Sequence, residues 1–201
     1  MPRRAWTICW ARTPEARPRP RRRRGRSSAG VRDRGTLFSR RCAIPGDGPR
    51  RDISWQEFGE LCKQLATAVY NRGPVDAVVG IARGGSIVGA TLSFMLNKEY
   101  FPIRLAKRGG VTRVIVPPTR DLADRTVALV DDLSRTGDTF RIALHELKRV
   151  GAKEVFTVAL VRREPGFRPD LAATTASAVD KVAFPWGREE LVNGRFELRK
   201  L

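Results

Sequence analysis

Several residue types that commonly build functional sites are scarce in this chain. Among 201 residues there is one histidine, His145, and there are three cysteines, Cys9, Cys42 and Cys62. A histidine-rich metal site is therefore excluded, and the cysteine spacings do not match those of zinc ligands. An odd number of cysteines predicts free thiols, which are typical of a reducing compartment, so we expect a cytoplasmic protein.

The chain also lacks a long apolar run and is poor in acidic residues. No stretch approaches about 18 apolar residues, so no transmembrane helix is predicted. Lys and Arg number 39 against 21 Asp and Glu, which gives a net charge of +18. Most of this excess lies in residues 1–51, which hold 16 arginines, no lysine and 3 acidic residues. The remaining residues have the composition of one ordinary globular domain.

Residues 1–51 are rich in Pro-Arg pairs and contain the run Arg21–Arg24. Such a segment repels itself and buries too little apolar surface to offset the entropy lost on ordering. We therefore predict a disordered extension in residues 1–51 and one folded domain in residues 52–201. The charge of the extension is compatible with nucleic-acid binding. Because no interleaved aromatic residues or folded binding motif accompany it, we favour a dispensable extension.

Helices and strands alternate through the folded part. Ser54 is predicted to cap a helix, with Glu57 completing a capping box and Gly73–Pro74 ending the helix. The apolar runs at 75–81 and 126–130 are typical of buried parallel strands. Further strands are predicted at 100–106, 113–116, 155–161 and 179–184, and further helices at 87–97 and 140–150. This alternation predicts an α/β fold, with helices flanking a parallel sheet.

The second buried run ends in two carboxylates and a polar, glycine-bearing turn. Asp131 and Asp132 end the strand, and residues 133–138 lead into the next helix. Ligands of α/β sheets bind beyond the carboxyl ends of the strands, and a helix N-terminus favours a phosphate there. The hydroxyl side chains able to wrap such a phosphate are Ser134, Thr136 and Thr139. The neighbouring carboxylates suit ribose hydroxyls and Mg²⁺.

A second glycine-bearing loop follows the first buried run. It spans residues 82–86, reads Ala-Arg-Gly-Gly-Ser, and leads into the helix predicted at 87–97. Taken alone, this loop is a weak signal. No Gly-Lys-Ser/Thr follows it, so it is not a Walker A loop. Its position after a buried strand makes it a second candidate anion-binding loop.

Together the two loops resemble the signatures of type I phosphoribosyltransferases. An apolar strand, an acidic pair and Thr-Gly-x-Thr resemble that family's binding signature for phosphoribosyl pyrophosphate (PRPP), and the order of elements is similar over residues 52–190. The resemblance implies a parallel sheet flanked by helices and a small C-terminal hood-like portion. It further implies transfer of the phosphoribosyl group of PRPP to a nitrogen base with Mg²⁺ as cofactor, and a homo-oligomer.

The resemblance also assigns roles to the two loops. The residues implied for catalysis and for binding Mg²⁺ through water are Asp131 and Asp132. Those implied for the 5′-phosphate are Ser134, Arg135, Thr136, Gly137, Asp138 and Thr139. Those implied for the pyrophosphate are Ala82, Arg83, Gly84 and Gly85. A cis peptide bond is expected within the second loop, at Arg83–Gly84.

The nearest branch by resemblance is that of the xanthine, hypoxanthine and guanine enzymes, which act in purine salvage. Lys107 and Arg108 are implied as parts of a flexible loop that closes the site, although a plain hairpin would read the same. Arg162 falls where that branch has a Lys for the 6-oxo group. Phe184 and Trp186 resemble its Pro-Trp element beside the base, or they pack on the sheet edge.

One position departs from that branch. Arg135 stands where the 6-oxopurine enzymes usually have an Asp that handles a base proton, and a guanidinium cannot act as a general base near neutral pH. A 6-oxopurine stays the preferred base, and another base remains open. The alternative function is a non-catalytic regulator on the same fold that senses PRPP or a nucleotide and contacts nucleic acid through residues 1–51.

Overall fold

The computed structural model describes residues 48–199 of the chain. Most of the predicted extension therefore lies outside the described residues, as do Cys9 and Cys42. The first strand includes Arg50 and Arg51, which the sequence places at the end of that extension. Within this described range, no helix has both the length and the apolar character needed to cross a membrane.

The described residues form ten strands, three α-helices and two short 3-10 helices. The strands are β1 (Arg50–Asp52), β2 (Ala77–Ala82), β3 (Glu99–Arg108), β4 (Val111–Val116), β5 (Thr126–Ser134), β6 (Glu154–Glu164), β7 (Leu171–Ser177), β8 (Lys181–Ala183), β9 (Glu189–Val192) and β10 (Arg195–Leu198). The α-helices are α1 (Trp55–Arg72), α2 (Gly84–Leu96) and α3 (Asp138–Arg149). The 3-10 helices are Arg120–Leu122 and Pro185–Gly187.

Six of the strands form the central sheet, in the order β4-β3-β2-β5-β6-β7. Its strands are parallel except for β4, which runs antiparallel to β3 at the edge. The antiparallel edge follows from the two-residue turn Gly109–Gly110, whose positive φ angles of 58° and 81° suit a tight hairpin. The predicted α/β fold with a parallel sheet and flanking helices is confirmed, with this one edge strand as an exception.

The strand order reverses between β2 and β5. From β2 the chain proceeds outward through β3 and β4, and it then returns to β5 on the other side of β2. Gly80 of β2 lies opposite Val130 of β5 in the parallel register. Such a reversal leaves a crevice at the carboxyl ends of the two strands, which is where open α/β sheets bind ligands. Both candidate loops follow these two strands.

The sheet is covered on both faces, which explains the continuous apolar runs. Side chains of β2 and β5 alternate between a core with α1 and α2 and a second core with α3. Val78 and Val130 belong to the first core, and Val79 and Leu129 to the second. Cys62 lies in the first core as a fully buried free thiol, in agreement with its predicted apolar role, and burial raises its pKa to about 12.

Helix α1 begins as predicted. The Glu57 backbone N–H donates to the hydroxyl of Ser54 at 3.0 Å, which satisfies one amide of the first turn. The Glu57 carboxylate lies 3.5 Å from the Arg51 guanidinium, so it pairs with β1 instead of completing the capping box. The helix ends at Gly73, whose φ of 135° few other residues adopt.

The C-terminal residues form a small portion beside the sheet. β8 pairs in parallel with β1, and β9 and β10 form an antiparallel hairpin. Between them, the 3-10 helix Pro185–Gly187 places the Pro-Trp pair next to α1. This portion corresponds to the predicted hood. The hairpin was not predicted, because its strands are four residues each and half of their residues are charged.

Candidate functional site

The loop after β2 turns directly into helix α2. Gly84 and Gly85 are already helical, and the backbone N–H of Ser86 donates to the Arg83 carbonyl at 3.1 Å. The cis peptide bond lies at Ala82–Arg83, so the predicted position at Arg83–Gly84 is wrong by one residue. The physical reason is that the Arg83–Gly84 peptide belongs to the first helical turn, which requires a trans bond.

The glycines of this loop allow close contact with β5. A Cβ at Gly85 would lie 2.7 Å from the Val130 carbonyl oxygen and 2.8 Å from the Asp131 Cα, and a Cβ at Gly84 would overlap the Asp132 carboxylate. A larger residue at Gly85 would therefore push the two loops apart, whereas one at Gly84 would displace the Asp132 carboxylate. The structure brings the two predicted loops into contact, as the order of the motifs implied.

The two carboxylates at the end of β5 occupy different environments. Asp131 is buried, and its oxygens accept hydrogen bonds from the Asp132 backbone N–H at 3.0 Å and from the Thr139 hydroxyl at 3.3 Å. Asp132 is half-buried and lines an open cavity. Asp131 thus joins β5 to the start of α3, whereas Asp132 is the carboxylate that lines the cavity.

Burial raises the pKa of both carboxyl groups. The pKa of Asp131 lies well above its usual range, mainly because of desolvation and then because of the charge of Asp132. The pKa of Asp132 is also raised, again mainly by desolvation. Two adjacent buried carboxylates hold their negative charge poorly, so a cation or a set of hydroxyl donors would stabilise the ionised pair.

The turn after β5 is ordered by its own hydroxyls and by the start of α3. Gly137 takes a φ of 79° and caps the helix, and the Thr136 hydroxyl donates to the Asp138 carboxylate at 2.7 Å. The pKa of Asp138 is lowered by that bond, by its bond with Arg141 and, to a smaller extent, by the charge of Lys107. The turn 135–139 therefore leads directly into a helix N-terminus, a position that favours an anion.

Ser134 is directed toward the loop between β6 and β7. It is almost fully buried, and its hydroxyl donates to the carbonyl of Phe167 at 3.1 Å. The Phe167 backbone N–H in turn donates to the Arg135 carbonyl at 2.7 Å. In this structure Ser134 thus supports the turn from behind, which differs from the predicted phosphate contact. The cause is the strand alternation, since β5 continues to residue 134 and directs that side chain inward.

The loop between β6 and β7 supports the turn 135–139. This support was not predicted from the sequence. The Phe167 ring packs against Gly137 and stacks on Phe140 at 5.5 Å between ring centroids. No motif marks this loop, and only the isolated aromatic residue in a Gly- and Pro-bearing stretch hinted at packing. The Arg135 side chain is exposed on the outer side of the turn, and its charge lowers the pKa of Arg163 after the larger effect of desolvation.

A cavity of about 370 Å³ opens beside Asp132. It is lined by Arg83, Gly84, Ile87, Asp132, Trp186, Gly187 and Arg199. The lining joins the loop after β2, the end of β5 and the C-terminal portion of the chain. Four of the predicted site residues line it, namely Arg83, Gly84, Asp132 and Trp186. Arg199 was not predicted, since no motif surrounds it near the chain end.

The remaining residues implied for the base differ in their surroundings. Phe184 is buried and stacks behind Trp186, with ring centroids 4.9 Å apart and planes 5° apart. Phe58 meets Trp186 edge-on at 5.2 Å. Phe184 therefore positions Trp186, and only the Trp186 ring borders the cavity. Arg162 forms an ion pair with Glu164 on the same strand and is not part of the lining.

The flexible loop implied by the resemblance corresponds to the hairpin between β3 and β4. Lys107 and Arg108 belong to the end of β3, and the turn itself consists of Gly109 and Gly110. The charge of Lys107 contributes to the lowered pKa of Asp138, so this end of β3 lies on the same side of the sheet edge as the start of α3. Its role in closing the site stays a prediction.

The carboxylates fit the requirements of a Mg²⁺ ion. Mg²⁺ prefers oxygen ligands, keeps several waters and commonly binds through one or two carboxylates plus substrate phosphates. Asp132 lines the cavity, and desolvation raises the pKa values of Asp131 and Asp132, so a cation at this place would favour their ionised forms. Asp132 would hold the ion, directly or through water. Asp131, which is buried next to Asp132, would add a second negative charge near the ion.

Two adjacent strand ends and a glycine-lined helix start meet where the strand order reverses, which is the ligand-binding position of open α/β proteins. The sequence matches the family model of the phosphoribosyl transferase domain over residues 53–189. The chain therefore belongs to the phosphoribosyltransferase family, and it is an enzyme of that glycosyltransferase class. The predicted resemblance to type I phosphoribosyltransferases is confirmed.

Known relatives act on different bases. An orotate phosphoribosyltransferase of Methanospirillum hungatei is 28% identical over 137 residues, covering 67% of this chain and 75% of that enzyme. The crystal structure of a purine phosphoribosyltransferase from Pyrococcus horikoshii has a TM-score of 0.64 and 28% identity, covering 68% of this chain and 93% of that one. The transcriptional regulator GfcR of Methanosphaera stadtmanae is 25% identical, over 56% of this chain and 62% of the regulator.

Proposed function

We propose that this enzyme binds PRPP together with Mg²⁺ and transfers the phosphoribosyl group to a ring nitrogen of a base, with a 6-oxopurine as the first candidate. Diphosphate is the second product. The observation that carries the proposal is the contact between the two loops at the ends of β2 and β5, where Gly84 lies against the Asp132 carboxylate.

The three parts of PRPP match three neighbouring features of the site. The 5′-phosphate would occupy the turn 135–139, where backbone amides meet the start of α3. The ribose hydroxyls would donate to Asp132, which lines the cavity. The diphosphate would lie at the start of α2, beside Arg83 and the amides of Gly84 and Gly85. A guanidinium and a helix N-terminus both favour such an anion.

In the reaction, the bond from C1 of the ribose to the diphosphate oxygen breaks, and its electron pair leaves with the diphosphate. A nitrogen lone pair of the base forms the new bond to C1, and the proton that the neutral base carries on its ring is released to solvent. The ribose carries positive charge in the transition state, and the Asp132 carboxylate would stabilise that charge while Arg83 stabilises the departing anion. When bound, Mg²⁺ supplies further charge neutralisation to the diphosphate. The remaining catalysis is positioning.

The base would stack on Trp186. This ring borders the cavity and is held from behind by Phe184, so its orientation is fixed before a ligand binds. Stacking of a base on an aromatic ring contributes about 1–3 kcal/mol. A 6-oxopurine presents a flat ring that can stack on Trp186. The similarity to the purine phosphoribosyltransferase of Pyrococcus horikoshii supports the choice of a purine. The similarity to an orotate enzyme keeps that acidic pyrimidine in the test.

The test is base-dependent release of diphosphate. The purified chain is incubated with PRPP and Mg²⁺ and separately with hypoxanthine, guanine, xanthine, adenine and orotate. We expect release with at least one 6-oxopurine and loss of release in the Asp131→Asn, Asp132→Asn double variant. Binding of PRPP without turnover of any base would instead favour a sensing role, like that suggested by the similarity to a transcriptional regulator.

A further inference from the structure

Arg199 is the second guanidinium that lines the cavity beside Asp132. Its Nε lies 3.2 Å from the Glu190 carboxylate, and its backbone N–H donates to the Arg188 carbonyl at 2.9 Å. These two contacts fix Arg199 at the end of the hairpin formed by β9 and β10. The other residues of the C-terminal portion that line the cavity are Trp186 and Gly187.

The alternation of the hairpin explains why Arg199 meets Glu190. Leu191 lies opposite Phe196, and Glu190 lies opposite Glu197, so one face is mostly apolar and the other carries most of the charge. Arg199 follows β10 in phase with Glu197 and meets Glu190 on the charged face. Arg199 lines the cavity while 42% of its side chain stays exposed to solvent, and Leu191 and Phe196 are exposed on the other face of the hairpin.

Glu190 determines what kind of group Arg199 can recognise. An ion pair with Glu190 leaves the two side chains with no net charge, so the pair attracts a multiply charged diphosphate only weakly. The planar guanidinium still has donors free, since only its Nε is near Glu190. Those donors match a carbonyl oxygen and an adjacent ring nitrogen in one plane. The diphosphate already has Arg83 and the start of α2 as partners.

Arg162, which the resemblance implied for the 6-oxo group, is less suited to this role. Its guanidinium contacts the carboxylate of Glu164, and it does not line the cavity. Trp186, the stacking ring, shares the cavity with Arg199. The donor and the stacking surface are therefore supplied together by the C-terminal portion.

We propose that Arg199 recognises the oxo edge of the base stacked on Trp186, and that Glu190 positions its guanidinium. This inference rests on the proposed function, and it assigns base selectivity to the hairpin formed by β9 and β10. Enzymes built to donate to an oxo group discriminate against analogues that lack it, because the bound base covers the donor and leaves it unpaired.

The test compares Arg199→Ala with Arg195→Ala, which removes the same charge from the same hairpin outside the cavity lining. We expect Arg199→Ala to lower kcat/KM for hypoxanthine by about 10–100-fold, as for loss of a charged hydrogen bond. The values for adenine and the KM for PRPP should change less than about twofold. Guanidinium added to the solution should partly restore the kcat/KM of Arg199→Ala for hypoxanthine. The kcat/KM of Arg195→Ala should equal that of the unmodified enzyme.

Two further variants separate this role from its rivals. Glu190→Gln should raise the KM for hypoxanthine and leave its kcat nearly unchanged, since the guanidinium is present but less well held. Arg162→Ala should retain the preference for hypoxanthine over adenine. A higher KM for PRPP in Arg199→Ala with an unchanged base preference would overturn the proposal, as would loss of that preference in Arg162→Ala.

Calorimetry of product nucleotides gives a readout that needs no turnover. Arg199→Ala should weaken binding of inosine 5′-monophosphate by about 10–100-fold and leave adenosine 5′-monophosphate unchanged. Equal weakening of both nucleotides would overturn the role of Arg199. If no base is turned over but the unmodified chain still prefers the inosine nucleotide through Arg199, the proposed reaction fails and this inference survives as ligand selectivity.

Discussion

Gly84 lies directly against the carboxylate of Asp132, so closely that a Cβ at Gly84 would overlap it. Gly84 begins α2 after β2, and Asp132 ends β5, so the contact joins the two neighbouring strand ends where the sheet order reverses. The groups proposed to hold the diphosphate and the ribose are thereby placed side by side.

Substitution of Gly84 tests that contact. Gly84→Ala should fold, because the atom it displaces ends a side chain, yet it should lower kcat/KM by about 10²–10³-fold by moving the Asp132 carboxylate. Gly59→Ala on α1 is the matched control, since a Cβ there meets nothing within 4 Å. It should raise stability by about 0.5–1 kcal/mol and leave kcat/KM unchanged. Full activity in Gly84→Ala would contradict the proposed placement of the ribose.

Gly85→Ala should behave differently, because its Cβ would meet backbone. The Val130 carbonyl oxygen and the Asp131 Cα lie at 2.7 and 2.8 Å from that Cβ, and neither can rotate away. We expect a loss of about 1–3 kcal/mol in the free energy of unfolding, together with lost activity. Urea denaturation measures the first effect, and an unchanged midpoint would show that the two loops are not as tightly packed as described.

The buried carboxylates should make the ligand-free enzyme less stable as the pH rises. Because the folded pKa of Asp131 lies above its unfolded value near 3.8, its contribution to stability is complete below that value and is lost as the pH rises toward the folded pKa. The Tm of Asp131→Asn should therefore equal that of the unmodified enzyme near pH 4 and exceed it at pH 8. The expected difference is about 2–4 °C for each kcal/mol of unfolding free energy that the charged Asp131 costs.

Thermal melts from pH 4 to pH 8 measure this difference. Glu60→Gln on the exposed face of α1 is the control and should give a nearly constant difference in Tm, since a surface pair with Lys63 contributes little. A Tm for Asp131→Asn below that of the unmodified enzyme at pH 8 would show that the buried charge is already compensated.

The base-stacking surface can be tested with two tryptophans of the same aromatic cluster. Trp186→Ala should raise the KM for the base by about 10–100-fold, which corresponds to the 1–3 kcal/mol of base stacking. Trp55→Ala removes a ring that lies 6.2 Å from Trp186 and is largely exposed, and it should change the KM less than about twofold. Similar effects of both variants would indicate a packing role for Trp186.

Phe167 should support phosphate binding although it touches no ligand in the proposed complex. Phe167→Ala removes the ring behind Gly137 and the stacking partner of Phe140. We expect the KM for PRPP to rise by about tenfold, because the turn must be ordered on binding, while the preference among bases stays the same. Steady-state kinetics with PRPP varied at fixed base gives the answer, and a changed base preference would contradict the assignment.

The sequence predicted the features whose physics is local. Apolar runs in β2 and β5, the capping Ser54 and the glycine turns located the sheet and both loops correctly. It could not predict β7, whose Ala- and Thr-rich segment has no strong apolar alternation. The cis bond was placed one residue late, because the beginning of α2 at Gly84 depends on contacts with β5.

Long-range contacts determine the rest of the site. The inward direction of Ser134 follows from the extension of β5 past the acidic pair, which adds two further residues opposite β6. Phe167 and Arg199 reach the site from loops distant in sequence, so no spacing rule could associate them with Asp132. Arg162 was assigned by order along the strand, whereas its partner Glu164 is visible only in the folded side-chain arrangement.

Calorimetric titration with PRPP tests the central claim most directly. The chain is titrated with PRPP in the presence and absence of Mg²⁺, alongside the Asp131→Asn, Asp132→Asn double variant. The account predicts saturable binding that strengthens with Mg²⁺, proton release as the raised carboxyl pKa values fall, and at least about tenfold weaker binding by the variant. Absence of binding heat with Mg²⁺, or equal affinity of the double variant, would contradict it.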